Sequence, residues 1–598
     1  MLDKQKEPLP GTNVVIVGTT LGAATDLDGY YNIINIPPGK YTVKFSLIGY
    51  QTVTVQDVLI NTDNTTKLNA ELGEEALTAG EVVVVAQRPV VETNLTSSVV
   101  TVTSEEVAAL PVQELQDVVN LQAGVVDGHF RGGRLGEVQY QINGVSVNNA
   151  YDNASTLRID RSLLQAVQVI SGTFDAEYGQ AMSGVVNAVL KSGSERFNWN
   201  AEAYASDYFF SNEKRIIQDE FRPLSRQNYQ ISLSGPTFLP KTTFIASGRR
   251  YVDDGYLRAP RRFVPTDSSD FNAKLFRGTG DGNEMPLGFT HEWSGLAKLT
   301  NRSLENIELG YQAIFNSIEA KRNEYAYRFN PDGIPTQRTS SIVHGLDWTH
   351  TLSKSTFYNL NLRQNYYDYK DYIYEDVFDP RYIDAGLPRS DEAYEFGTAV
   401  VQGVNFGRFK QQTDSYVLKT AVTSQVTREH LVKLGAEFQY STVKFGSPGY
   451  ILAVIDSITQ TQELQAVLSK PPQYPGLATY HPISLAAYAQ DQLEWQDLIV
   501  RAGLRFEHFD ARATIPSDLQ NPANSIAGAP LSVPKSTSKK TSLAPRLGVS
   551  YPISTTAAVF FAYGHFYQLP ALGQLFNNSD YSVLRDLQAG GISFGVLG

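Results

Sequence analysis

The chain has no cysteine, which excludes disulfides, thiolate metal sites and a thiol nucleophile at once. Methionine is scarce at 3 residues, and the 8 histidines are scattered without ligand-like spacing or an HExxH run. No Ser/His/Asp arrangement can be singled out, so no catalytic residue, metal or other cofactor is expected. A basic stripe is missing too. With a formal charge of −12, the surface lacks the cations that displace phosphate counterions, and nucleic acid is set aside as a partner. The longest apolar run is Ala557–Tyr563, far short of the roughly 18 residues of a spanning helix. A membrane could be crossed only with strands. The opening MLDKQKEPLPG has neither an apolar core nor a small-residue cleavage site, so it is not a secretory leader.

What is present is aromatic and β-prone: 11% aromatic residues, 33 of them Tyr, in 598 positions. Within residues 194–598 apolar and polar residues alternate over long segments. Val432, Leu434, Ala436, Phe438 and Tyr440 alternate with Lys433, Gly435, Glu437, Gln439 and Ser441. Val500, Ala502, Leu504 and Phe506 do the same against Arg501, Gly503, Arg505 and Glu507. One face is apolar and the other polar. Ser355–Asp376 and Thr413–Arg428 run without proline, well beyond the roughly 5–6 residues of a soluble sandwich strand and above the roughly 9–11 that span a bilayer.

Strands are predicted near 196–208, 228–235, 242–253, 290–301, 305–318, 338–352, 355–376, 411–428, 430–446, 481–495, 498–513, 541–553 and 556–567. Tight connections at Arg302–Leu304, Ser353–Lys354, Glu429 and Gln496–Asp497 alternate with long ones. Outer-membrane barrels have that rhythm, short on the periplasmic side and long outside. The first strand therefore runs outward.

Upstream, residues 1–73 carry short β-branched runs separated by DLDG, PPGK and IGY, the pattern of a small β-sandwich. Asp26, Asp28 and Asn32 are spaced like the start of a Ca²⁺ loop, but the downstream bidentate Glu is absent, and a turn role is expected. Residues 74–95 form an acidic, Gly-containing linker around one extended apolar run, Glu81–Ala86. That run reads either as a last sandwich strand or as a peptide that adds to a partner's sheet edge. Residues 96–193 read as a strand, a helix from near Ser104 favoured by Glu105 and Glu106, a proline break, a second helix ending at Gly124, and strands joined by tight turns.

Three stretches of that segment carry a resemblance: the RGG at Arg131–Gly133, the QINGV at Gln141–Val145, and VQVISGTFDAEYGQAMSGVVNAVLKSG at Val167–Gly193. In this order they resemble the plug of TonB-dependent outer-membrane receptors, and residues 8–52 resemble the carboxypeptidase-regulatory-like domain at the front of Bacteroidetes-type members. The implied fold is mainly β: an N-terminal sandwich (1–73), a linker (74–95), an α/β plug (96–193) and part of a large antiparallel transmembrane barrel (194–598). Thirteen strands against about 22 in plugged transporters leave that barrel incomplete. The chain also starts one strand late and stops roughly 250–300 residues early by the same comparison.

By the resemblance, Glu81, Val82, Val83, Val84, Val85 and Ala86 are the TonB box, and the partner is a TonB-type inner-membrane complex. Arg131, Arg134, Glu177 and Tyr178 are expected at plug–barrel contacts. Gly132, Gly133, Asn143, Gly144, Gly179 and Gly184 serve turns or close chain approach. The expected function is uptake of a surface-bound nutrient (siderophore, cobalamin, glycan or peptide) from a seat in outer-membrane lipid, with a surface lipoprotein as a further admissible partner. A non-transporting structural or adhesive barrel is the alternative. Tyr325, Tyr327, Tyr369 and Tyr372, with Tyr151 and Arg158 on the plug, are candidate ligand contacts, though the tyrosines at strand ends also fit an aromatic girdle or packed loops.

Overall fold

The computed structural model describes residues 1–19, 21–61, 64–74, 82–86, 96–155, 157–208, 221–455, 462–468, 476–518, 534–554 and 557–577. Its N-terminal sheet contains β1 (Asn13–Ile16), β2 (Gly22–Ala24), β3 (Gly39–Ser46), β4 (Val53–Ile60) and β5 (Val82–Val85), in the order β2-β1-β3-β4-β5. The inward residues of the alternation, Val14, Val43, Phe45, Val53 and Val55, pack with Met1, Leu9 and Leu72 into one apolar cluster.

The second unit comprises β6 (Ser98–Thr103), α1 (Ser104–Ala109), α2 (Leu115–Asn120), β7 (Val138–Ile142), β8 (Val145–Ser146), β9 (Leu164–Ser171) and β10 (Gly184–Leu190). Its sheet runs β8-β7-β10-β9-β6, with β7 and β10 parallel and the other pairs antiparallel. The first helix opens on a capping box formed by Thr103 and Glu106. The Thr103 hydroxyl accepts from the Glu106 N–H at 3.4 Å, and the Glu106 carboxylate accepts from the Thr103 N–H at 2.8 Å. Asn143 and Gly144 sit at φ 50° and 79°, the two left-handed positions that a tight hairpin between β7 and β8 demands.

Thirteen long strands follow: β11 (Asn198–Ser206), β12 (Arg226–Pro236), β13 (Thr242–Asp253), β14 (Phe289–Asn301), β15 (Ile307–Lys321), β16 (Gln337–Thr351), β17 (Thr356–Asp371), β18 (Phe409–Gln425), β19 (His430–Gly446), β20 (Ile483–Trp495), β21 (Leu498–Asp510), β22 (Lys540–Ser554) and β23 (Ala557–Gly564). Each pairs antiparallel with its sequence neighbours, joined by alternating short and long connections, as the periodicity predicts. A three-residue strand, Ala478–Tyr480, also pairs with β19. Among the described residues β11 and β23 are the two free ends of this sheet, so it is not closed.

Burial is inverted relative to a water-soluble sheet. Ile231, Leu362 and Leu504 lie exposed on one face, whereas Glu292, Arg363 and Arg505 are buried on the other. Apolar side chains outside and charges inside is the arrangement that lipid selects. The concave polar face wraps the plug, and Ile245, Leu296, Ile314 and Val343 of β13–β16 join the plug's own apolar core.

Candidate functional site: the plug–barrel interface

The plug meets the sheet along two charged walls. On the first wall, Asp160, Arg158, Arg161 and Glu114 of the plug face β11–β14. Glu292, fully buried on β14, receives Arg158 at 3.2 Å and Arg249 of β13 at 3.5 Å. Asp160 lies 3.8 Å from Arg249 and accepts from the Gln230 amide of β12 at 2.7 Å. Arg161 pairs with Glu202 of β11 at 3.2 Å, and Arg158 lies 3.8 Å from Glu114. Burial raises the Glu114 carboxyl above its ordinary range, partly offset by Arg158.

On the second wall the plug segment 172–183 faces β19–β22. Glu177, buried, forms an ion pair with Lys433 of β19. Asp175 receives Arg501 of β21 at 3.0 Å. Arg505 pairs with Glu507 at 2.7 Å on its own strand and donates to the Glu177 carbonyl at 3.2 Å. Arg546 of β22 donates to the Phe174 carbonyl at 2.8 Å. Gly179 lies where the chain passes this wall: a Cβ there would collide with the Arg505 guanidinium and the Glu507 carboxylate.

Between the walls, the Asn365 amide of β17 donates to the Ser146 carbonyl at 3.1 Å and Lys419 of β18 to the Gly144 carbonyl at 2.7 Å. Charges removed from water in this way are held only by their partners, so outside the apolar contact with β13–β16 the seat is polar and specific.

Of the residues singled out beforehand, Glu177 is in an ion pair with the wall, and Tyr178 is buried with Ile170, Phe174 and Val185 beside Phe566. Arg131 and Arg134 differ from the expectation. Both are exposed and form no ion pair with the described barrel residues. Their turn is used internally: Arg131 N–H donates to the Gly124 carbonyl at 2.7 Å, and Arg134 N–H to the Glu137 carboxylate at 3.0 Å. Gly133 and Gly184 lie where a Cβ would strike Ser183 and Phe130, and Gly132 has φ 78°.

Within the Glu81–Ala86 run, Glu81 lies outside the described residues. Val82–Val85 is not a free tether but β5, paired parallel to β4 from Val53↔Val82 to Gln56↔Val85. The unpaired edge of β4 takes it, and Ala86 N–H closes the ladder on the Gln56 carbonyl at 2.8 Å. Val83, Val84 and Val85 remain exposed on the sheet's outer edge.

The candidate ligand residues split. The Tyr151 ring lies 5.0 Å from Phe445 and 6.0 Å from Phe409, and Phe409 lies 6.2 Å from Tyr369, so plug and barrel aromatics meet there. Tyr327 and Tyr372 instead are buried in the loops: Tyr327 packs with Ile334 and Val400, and its hydroxyl is pushed up to about 12 by burial. Tyr325 is exposed with Arg328 4.2 Å over its ring, and Arg158 belongs to the first ion-pair wall. Asp26 and Asp28 receive Arg428, from the turn between β18 and β19, at 2.7 and 2.6 Å. Chiefly the Tyr30 N–H, and further down the Arg428 charge, hold the Asp26 carboxyl below its usual range. The wall residues Arg249, Glu292, Lys433, Arg501 and Arg546 were not singled out beforehand. Their signal was charge on the polar face of an alternating strand.

A plug held by ion pairs in the concave, polar face of an apolar-outside sheet defines a plugged outer-membrane barrel. The family described as "TonB dependent receptor-like, beta-barrel" matches residues 294–596, half of the chain. The TonB-dependent receptor plug domain matches residues 92–186 and a CarboxypepD_reg-like domain residues 1–84. The chain belongs to the TonB-dependent receptor family, whose members reside in the outer membrane. It is 27% identical over 267 residues to the TonB-dependent transporter Oar of Myxococcus xanthus, covering 40% of this chain and 25% of that protein. To the TonB-dependent receptor SusC of Bacteroides thetaiotaomicron it is 32% identical over 250 residues, 38% and 24% of the two chains. The matches thus span about a quarter of these relatives' length. Among solved structures, the outer membrane transporter YddB from Escherichia coli superposes with a TM-score of 0.57 at 14% identity, over 81% of this chain and 62% of that one. The ferric yersiniabactin uptake receptor FyuA from Yersinia pestis gives 0.50 at 15% identity, over 78% and 63%. These two likenesses show the fold.

Proposed function

We propose that the protein is a TonB-dependent transporter: it binds a small nutrient at the cell surface and admits it to the periplasm when an inner-membrane complex of the TonB type pulls on the plug. The observation that carries this reading is the seat itself. A plug fastened by discrete ion pairs can be released and reseated, whereas one sharing a continuous apolar core on all sides could not. β5 is the segment we assign to coupling, because an apolar edge strand with one open side can pass its main-chain hydrogen bonds to another sheet. FyuA's title names ferric yersiniabactin and the Tyr151–Phe409–Tyr369 contact offers an aromatic surface, so a compact iron chelate is the first ligand to test. Proline at Val83 or Val84 should abolish energised uptake while surface binding of the ligand persists. Normal uptake by either variant would move the coupling segment elsewhere, and loss of binding together with uptake would point to misfolding instead.

A further inference from the structure

The two walls carry opposite surpluses of charge. The first joins three cations, Arg158, Arg161 and Arg249, to four carboxylates, Glu114, Asp160, Glu202 and Glu292. The second joins four cations, Lys433, Arg501, Arg505 and Arg546, to three carboxylates, Asp175, Glu177 and Glu507. Counting Lys419 and Glu437, which face each other on β18 and β19, adds one of each sign. A surplus carboxylate can be neutralised by a proton. A surplus arginine cannot, because its guanidinium keeps its proton at any physiological pH.

The uncompensated arginine is identifiable. Lys433, Arg501 and Arg505 each have a carboxylate in ion-pair contact, whereas Arg546 has none within 4 Å among the described residues, Asp175 and Glu507 acting on it only from farther away. It is 7% exposed, its guanidinium carbon 3.9 Å from the centre of the Phe566 ring and 5.2 Å from that of Phe174. Its Nε–H and the Nη2 of Arg501, which is also 7% exposed, are buried without a hydrogen-bond acceptor. Both arginines line one partly open cavity of about 20 Å³, bordered on the plug side by Thr96, Ser97 and Asp175 and on the barrel side by Gln490 and Gly548. Leaving a buried cation unpaired is among the costlier defects a fold can carry.

We infer that this cavity is a binding site for one small monovalent inorganic anion, of chloride's size, held between Arg546 Nε and Arg501 Nη2. The volume suits a single atom-sized occupant. The anion cancels the surplus charge, and because Thr96 and Ser97 directly precede β6 it also fastens the plug's entry segment to β21 and β22. The inference does not depend on which ligand is carried or on where the coupling complex binds.

The test uses the intact protein extracted in detergent. Exchange of sodium chloride for sodium gluconate at equal ionic strength should lower the thermal midpoint by a few degrees, since an ion that binds only the folded state stabilises it by mass action. The same exchange should leave Arg546→Gln unaffected. Crystals grown in bromide should show one anomalous peak beside Arg546 Nε. No peak there, or an equal chloride effect in the wild type and the variant, overturns the inference. If Arg546→Gln does not fold, the bromide peak alone decides.

Discussion

The two walls hold the same plug by different chemistry. On the first, one carboxylate, Glu292, serves two arginines, so its charge is shared and the network is tied together at a single atom group. On the second, pairs are separate: Lys433 to Glu177, Arg501 to Asp175, Arg505 to Glu507. A shared hub fails all at once; separate pairs yield one by one.

The sharpest way to break this contrast is at the hub. Glu292→Ala leaves Arg158 only the 3.8 Å carboxylate contact with Glu114 and the buried Arg249 only that with Asp160, and a cost of about 3 kcal/mol is expected, read as a large fall in thermal midpoint. Lys433→Glu sets a second carboxylate against the buried Glu177 and should cost about as much, roughly 3 kcal/mol or more. The double variant Lys433→Glu/Glu177→Lys should recover most of it, and a double-mutant cycle showing no coupling would mean the pair does not hold the plug.

Glu114 sharpens the comparison through pH. Its pKa is raised in the folded state, so between its unfolded value and its folded value the folded chain binds more protons and stability falls as pH rises. Glu114→Gln should remove that fall above about pH 4.5 while leaving the second wall's behaviour unchanged. The smallest effect is expected outside both walls. Arg428→Ala removes an exposed clasp on Asp26 and Asp28, so the unfolding midpoint should hold while proteolysis between the N-terminal sheet and the plug quickens.

Much of this was legible in the sequence. Long period-two stretches without proline, such as Thr413–Arg428, placed the thirteen long strands of the large sheet within a few residues but not the short strand Ala478–Tyr480, because the lipid-facing alternation is set locally. The same alternation put Lys433, Arg501 and Arg505 on the polar face. It could not say what they meet, because Glu177 and Lys433 are 256 positions apart and only the curvature of the sheet brings them together. Arg131 and Arg134 show a related limit: a motif that stands out in the sequence can serve its own turn, and the RGG does. The valine run was ambiguous in principle, since four consecutive valines suit a docked edge strand and a donor strand equally.

β6 has a neighbour on one side only, β9, and every other strand of the plug sheet is paired without it. Tension arriving through residue 97 therefore loads a single ladder, running from Ser98↔Ser171 to Ala166↔Thr103. Under the proposed transport, the stopper would give up one ribbon of its weave while the remaining four keep their pairing, and relaxation would need only that ribbon to find its place again.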